Sequence, residues 1–590
     1  MTAHKNKLKK SLLFLALFFL ILLGISLCIS CCSPRTEDEK FEAFATEVFK
    51  NELAGSTLNL HYSLANPEKW DIHTEEATLG RISTNRTELY EQLASYENTL
   101  KKFSYSELST ENQLTLDTLL LNFHTEQSIA DYFLLEEYLS PSLGIQAQLP
   151  VLLAEYTFRR EQDITDYLSL LQDIGPYFQS ILEYEQVKSD AGLFMSDETV
   201  DRIQDQCFSF IADPESNYML NVFADKINEF STLSDTKKQE LISLHEKLLL
   251  DEVIPAYKEL ITGLENLRGT GRSPSGLYYF QNGTDYYEYL LKSNAGIYTP
   301  IAKLEYRLSQ QLYNDTQSMN LLLKENPEIL KKYASMNTNQ EIKELSPEEM
   351  INYLIDIFQQ DFPAPVSTDY ELTYVHESME EFLSPAFYLT PPIDTGTPNT
   401  IYLNRSSMSS ALETFTTLAH EGYPGHLYQT TYFTSMNTHP VRRLFSCNGY
   451  VEGWATYVES FAYEYAADAL GLEPALTKLA HLNRSATLCL YSLLDIGIHY
   501  RGWTEVQMSS FLKNFGITNE TTLHEIFLYI VENPANYVQY YCSYLNFLDL
   551  RTAQEKKLRE EFQIQDFHRA VLEIGPVPFP VLEKYMGMEG

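Results

Sequence analysis

The segment LAHEGYPGH places His420 beside Glu421 and His426 six residues after His420. Two imidazoles with a carboxylate next to the first are the parts of a hydrolytic zinc site. Neutral imidazoles hold the ion, and the carboxylate serves as general base on a water. The spacing is not that of HExxH, whose histidines at i and i+4 share one helical face. Six residues turn an ideal helix by about 600°, leaving the two rings about 120° apart. An unbroken helix cannot present both to one ion. Pro424 and Gly425 supply the break. Proline lacks an N–H and clashes with the carbonyl four residues back, here that of His420. Glycine then opens conformations closed to other residues. The helix is expected to end or unwind there, letting His426 swing back toward His420.

A third ligand must come from another segment. VEGWATYVESFAYE, in a helix expected over Tyr450–Ala467, carries Glu452 and Glu459. Seven residues apart, they share a face to within about 20°. Two His and one Glu complete a catalytic Zn²⁺ set whose fourth position is left to water. Glu452 is the expected ligand, with Glu459 the alternative. The carboxylate that does not bind can orient a histidine. The plainer roles are a helix-capping histidine for His426 and a solvated helix face for either glutamate.

HEGYPGH followed by EGWATYVE resembles the family called domain of unknown function 885, whose pattern is HExxPGH and then EGWAxYxE. The resemblance spans most of the globular part. It is weak at His61–Pro67 and Gly283–Leu291, and stronger over Phe387–Asn404, Asp495–Trp503 and Pro534–Arg551. It implies a mostly bacterial, predominantly helical protein that looks like a zinc metallopeptidase. Tyr540 falls where the family carries a tyrosine, which with His499 makes two candidates for donating to the oxyanion. The sequence departs from the pattern in three places. Ala535 and Ser543 stand for glycines, and Leu427 stands where a histidine is usual. The two replaced glycines leave the tyrosine open among Tyr537, Tyr540, Tyr541 and Tyr544. Arg484, Asp495 and Arg551 are read as members of structural ion pairs.

The elements that must position these residues are mostly helices. From Glu37 to about Leu267 apolar residues recur at i, i+3, i+4 and i+7, as in Phe41–Leu53, Arg86–Phe103 and Asp163–Tyr184. Gly269–Gly276 is a loop rich in Gly, Ser and Pro. Leu277–Asp285 predicts a short strand and an Asn-Gly turn. Prolines exclude a helix between Ser384 and Asn404, where Ala386–Leu389 and Thr400–Leu403 predict two strands. Helical patterning returns near Ser409 and continues to the C-terminus. The fold class is mainly α: a large multihelical, zincin-like fold with a small β element beside the metal helix. Two lobes are expected, residues 33–270 helical and 271–590 metal-binding, as one integrated unit with a groove between them. Thr400–Asn404 is the strand expected to pair with an extended peptide, with Ala386–Tyr388 the alternative.

Lys5, Lys7, Lys9 and Lys10 precede an uncharged apolar run, Leu12–Ile29, and then Cys31 and Cys32. Residues 1–32 are read as a signal peptide and lipoprotein anchor, lipidated at Cys31 or Cys32. An uncleaved membrane helix and plain secretion are the alternatives, and all three place the globular part outside the cytoplasm. The net charge of -38 excludes nucleic acid as a partner, since that binding rests on Lys and Arg neutralising phosphate. Cys207, Cys447, Cys489 and Cys542 form no CxxC pair, which argues against a cysteine zinc site. An oxidising exterior permits a disulfide among them, with buried free thiols the equal alternative. The expected activity is hydrolysis of peptide bonds by an extracytoplasmic zinc metallopeptidase. The alternative is an anchored surface protein that binds peptides or a protein partner around a non-catalytic metal. Glu421 discriminates, because a structural site has no need of a base beside its first ligand.

Overall fold

Capping chemistry sets the helix ends. The first described helix, Glu37–Leu53, opens on a reciprocal pair: the Thr36 hydroxyl accepts the Glu39 N–H at 3.2 Å, and the Glu39 carboxylate accepts the Thr36 N–H at 2.8 Å. The expected windows Arg86–Phe103 and Asp163–Tyr184 correspond to helices Thr87–Leu100 and Glu161–Ala191. The second stops at Gly192, whose φ of 72° suits glycine. This computed structural model describes residues 35–588 apart from 74–75, 142, 274, 337–342 and 409. The expectations for residues 1–32 therefore lie outside the described residues. Among those described, no helix is long and apolar enough to cross a membrane. The four cysteines of the globular part are free and buried.

Among the described residues the chain is mainly helical, with one three-stranded sheet. One apolar core is built by residues between Leu58 and Leu267, joined by Met379. A larger one runs from Leu277 to Leu582 and takes in Leu114, Ile129 and Leu135. A third joins Phe41–Phe123 to Val441. N-terminal segments thus help to close the core that carries the metal motifs.

Six helices surround the candidate site: α1 (Ala411–Glu421), α2 (His426–Ser435), α3 (Asn448–Leu470), α4 (Pro474–His499), α5 (Glu520–Glu532) and α6 (Asn536–Leu558). Helices α3 and α6 approach closely at Gly453, where a Cβ would stand 2.5 Å from that of Ser543. The sheet comprises β1 (Glu371–Tyr374), β2 (Ala386–Leu389) and β3 (Thr400–Leu403), in the order β1-β3-β2. β3 pairs parallel with β1 and antiparallel with β2.

Two expectations are corrected here. Leu277–Asp285 is not a strand: Leu277–Tyr279 is a 3-10 turn, Asn282 takes φ 60°, and a helix begins at Gly283. β3 cannot receive a peptide along its edge, because both of its edges are taken. β2 is the edge strand beside α1.

Candidate metal centre

Ser410 starts α1 by accepting the Glu413 N–H at 3.2 Å. Leu412, Phe415, Leu418 and Ala419 bury its inner face. The helix ends at Glu421, the Tyr423–Pro424 peptide is cis, and α2 begins at His426. Gly425 is required by the tight return. A Cβ there would stand 1.8 Å from the His420 carbonyl oxygen and 2.4 Å from that of Ala419. Trp454, from the second motif, holds this turn: its buried indole N–H donates to the Pro424 carbonyl at 2.9 Å. The two imidazoles come together with centroids 4.6 Å apart and planes at 89°.

Glu452 projects from α3 between them. Its Oε2 lies 3.6 Å from Nε2 of His420 and 3.6 Å from Nε2 of His426. That is too long for a hydrogen bond. It suits donors around one ion, since tetrahedral ligands at about 2.0–2.1 Å from zinc stand about 3.4 Å from each other. Glu459, two turns along α3, faces the opposite side of the first ring. Its Oε1 is 2.7 Å from His420 Nδ1, and its Oε2 is 3.5 Å from Arg484 Nε on α4. An acceptor on Nδ1 leaves Nε2 free to act as a ligand. The geometry therefore gives the two glutamates different places: Glu452 among the Nε2 atoms, Glu459 behind the ring.

Glu421 also comes close, since donor atoms of His420, Glu421 and His426 lie within 4.8 Å of one another. Its carboxylate is held elsewhere, however, because Oε2 accepts the Tyr388 N–H of β2 at 2.9 Å. Glu452 is equidistant from both Nε2 atoms. Glu421 stands beside the set, anchored by the strand.

The centre favours positive charge. Burial opposes protonation of His420, but Glu452, Glu459 and Glu421 outweigh it and hold the imidazole well above its ordinary value. Burial likewise raises the Glu452 carboxyl, and the two imidazoles more than offset it, leaving it well below the carboxylate range. Two imidazoles and a carboxylate gathered in one place are a donor set whose chemistry fits zinc.

A cavity of about 590 Å³ opens on His420 and Glu421. Ala386 of β2 lines one wall, with Arg484, Tyr537 and Tyr540 among the others. Tyr540 extends from α6. Burial, followed by the negative charge of Glu452 and Glu421, pushes its hydroxyl above the usual tyrosine range, so it stays a proton donor. Tyr537 lines the cavity too, with its ring against Tyr491 and Tyr529. Tyr541 and Tyr544 are core residues, and the Tyr541 hydroxyl is 2.7 Å from that of Ser485.

His499 is not part of this centre, contrary to expectation. It is fully buried at the end of α4, fifteen residues after Arg484, or about 22 Å along the helix axis. Both its nitrogens are occupied by backbone. Nδ1 accepts the Leu277 N–H at 3.1 Å, and Nε2 donates to the Ile530 carbonyl at 2.8 Å. Asp495, on the same helix, accepts the Tyr287 hydroxyl at 2.8 Å and the Ala535 N–H at 3.0 Å. Sequence patterns missed three contributors: the Tyr388 N–H, the Trp454 clasp and strand β1. All three act through the backbone or through non-local pairing.

Solved structures share this architecture. The chain aligns with "the putative lipoprotein from Colwellia psychrerythraea" at a TM-score of 0.82 and 19% identity, over 94% of this chain and 99% of that one. It aligns with "a putative lipoprotein of unknown function from Shewanella oneidensis" at a TM-score of 0.63 and 14% identity, over 94% and 100%. At these identities the likeness is one of fold. A search of curated proteins finds no match. The family profile described as "Bacterial protein of unknown function (DUF885)" matches residues 69–586, and the chain belongs to that family.

Proposed function

We propose that the chain is an extracytoplasmic zinc metallopeptidase in which His420, His426 and Glu452 hold the ion and Glu421 is the general base. The observation that carries this is the single Glu452 oxygen 3.6 Å from both Nε2 atoms, with Glu421 pinned alongside. Zinc, when held there, polarises the scissile carbonyl and acidifies a water. Glu421 takes a proton from the attacking water and passes it to the leaving amine nitrogen as the C–N bond breaks. The strand N–H on Oε2 keeps the carboxylate oriented for both transfers. Tyr540 donates its hydroxyl proton in a hydrogen bond to the carbonyl oxygen as negative charge develops.

The outer edge of β2 offers a rail for the peptide. The Tyr388 N–H points outward to Glu421, so by alternation Ala386 also presents its backbone to the cavity. An extended substrate added there lies across Glu421. Residues 1–32 would tether the enzyme outside the cytoplasm through a lipidated Cys31 or Cys32, in keeping with the lipoprotein descriptions of its structural neighbours.

The test uses the full chain in detergent, with metal counted and a mixed peptide library as substrate. Wild type and Glu421→Gln should both carry zinc. Wild type should cleave, and the variant should be slower by about 10³-fold or more. Zinc in both proteins with no cleavage by either would leave the non-catalytic binding protein as the correct reading.

A further inference from the structure

A second cavity, of about 420 Å³, adjoins the first. Leu143 and Asn536 line both. Glu137 and Glu198 face it from the N-terminal half, and Glu532 from the end of α5. Each of these carboxylates belongs to a group in which one base meets two acids. Lys188 pairs with Glu137 and Glu185. His524 lies 2.8 Å from Glu198 and 3.0 Å from Glu505. Arg202 lies 3.0 Å from Glu525 and 3.2 Å from Glu532.

Glu532 stands apart from the other two. Its side chain is 0% exposed, and neither carboxylate oxygen has a hydrogen-bond partner. Arg202 Nε is near Oε1 but out of line for a hydrogen bond. A buried carboxylate left in that state is costly. Burial raises its carboxyl to about 7, with Arg202 opposing and Glu198 and Glu525 adding to the rise. A cationic ligand group would supply the missing donors. The apolar lining, including Leu277 and Phe280, suits the methylene stem that carries such a group.

We propose that this second cavity receives a cationic group of the peptide, an ammonium or guanidinium, and thereby selects basic peptides for the metal centre. The selection of substrates rests on the metallopeptidase reading; the binding does not. Lysine or arginine side chains and a free amino terminus are the two sources of that chemistry.

The test is calorimetric binding to the full-length Glu421→Gln chain, which should not turn the ligand over. The probes are short alanine-based peptides with one lysine or norleucine at matched positions, each with a free or acetylated amino terminus. A cationic peptide should bind about tenfold or more tightly than its neutral partner, as expected for a charge-assisted hydrogen bond to a buried carboxylate. Dependence on lysine identifies a side-chain subsite, and dependence on acetylation identifies the amino terminus. Adding Glu532→Gln should remove most of the preference. Should that variant fail to fold, Glu198→Gln, at an exposed position, should reduce it instead. Equal binding of all probes would overturn the proposal, as would a preference that the folded variants leave intact. A cation preference in a chain whose wild type cleaves nothing would fault the peptidase reading alone.

Discussion

His420 and His499 are both held by helices of the same core, yet their surroundings give them opposite chemistry. His420 opens on a cavity and meets carboxylates on both ring nitrogens, which hold its protonated form well above the ordinary value. His499 meets one backbone N–H and one carbonyl, and burial pushes it down to about 4. The first ring faces a carboxylate on each side, as the proposed metal site requires. The second is a neutral tautomer that ties Leu277 to Ile530, and protonating it would set two N–H groups against each other. What a histidine faces decides its role; its sequence neighbourhood does not.

The comparison can be broken by removing partners. Glu452→Ala should have the largest effect, lowering zinc affinity by on the order of 10⁴-fold, beyond the loss typical of an outer partner. Competition with a chelator of known affinity measures it. Tyr540→Phe should lower kcat by about 10²-fold, with KM and bound zinc little changed, if the hydroxyl acts on developing charge. A KM effect alone would make it a binding residue.

On the other side, His499→Ala should leave zinc affinity unchanged while costing on the order of 3 kcal/mol of stability, read by denaturant unfolding. The pH dependence has a definite sign. The folded chain titrates His499 at about 4 and the unfolded chain near 6.5. The unfolded state therefore binds more protons in that interval, and stability falls as pH drops through it. The variant should lose this part of the acid sensitivity. Glu459→Ala should lower zinc affinity by about 10–100-fold, with partial rescue by Glu459→Gln, which keeps an acceptor for His420 Nδ1.

The smallest expected effect is at Ala535, whose φ is 65°. A side chain there is strained, which accounts for the glycine at this position in the family pattern. Ala535→Gly should raise stability by up to about 1 kcal/mol, because relief of strain exceeds the loss of one buried methyl. No gain would mean that the lost methyl contacts and the greater chain entropy of unfolded glycine offset the relief of strain.

Much of this site was legible because its signals are local. Pro424 and Gly425 forecast the end of α1, and the prolines around Ala386–Leu389 and Thr400–Leu403 marked two strands at the bounds observed. The order of those strands was not legible. β1 has the half-exposed sequence ELTY and pairs in parallel with a segment far along the chain, so no local pattern announces it. Without β1, β3 reads as an edge. Leu277–Asp285 misled because its aromatic residues and Asn-Gly pair have strand and turn propensities, while tertiary packing uses the same Asn to start a helix. Glu452 and Glu459 share a helical face, so spacing could not separate them. They were separated by which ring nitrogen each faces, and that depends on where His420 sits along the axis of α3.

The central claim is that His420, His426 and Glu452 converge on one ion. X-ray absorption at the zinc edge on the full-length chain, stripped and reloaded with one equivalent, tests it most directly. The account predicts one tightly held zinc with nitrogen and oxygen neighbours at about 2.0–2.1 Å, two of them imidazoles. Failure to retain zinc would contradict it, as would sulfur neighbours at about 2.3 Å or an imidazole signal that survives replacement of both His420 and His426.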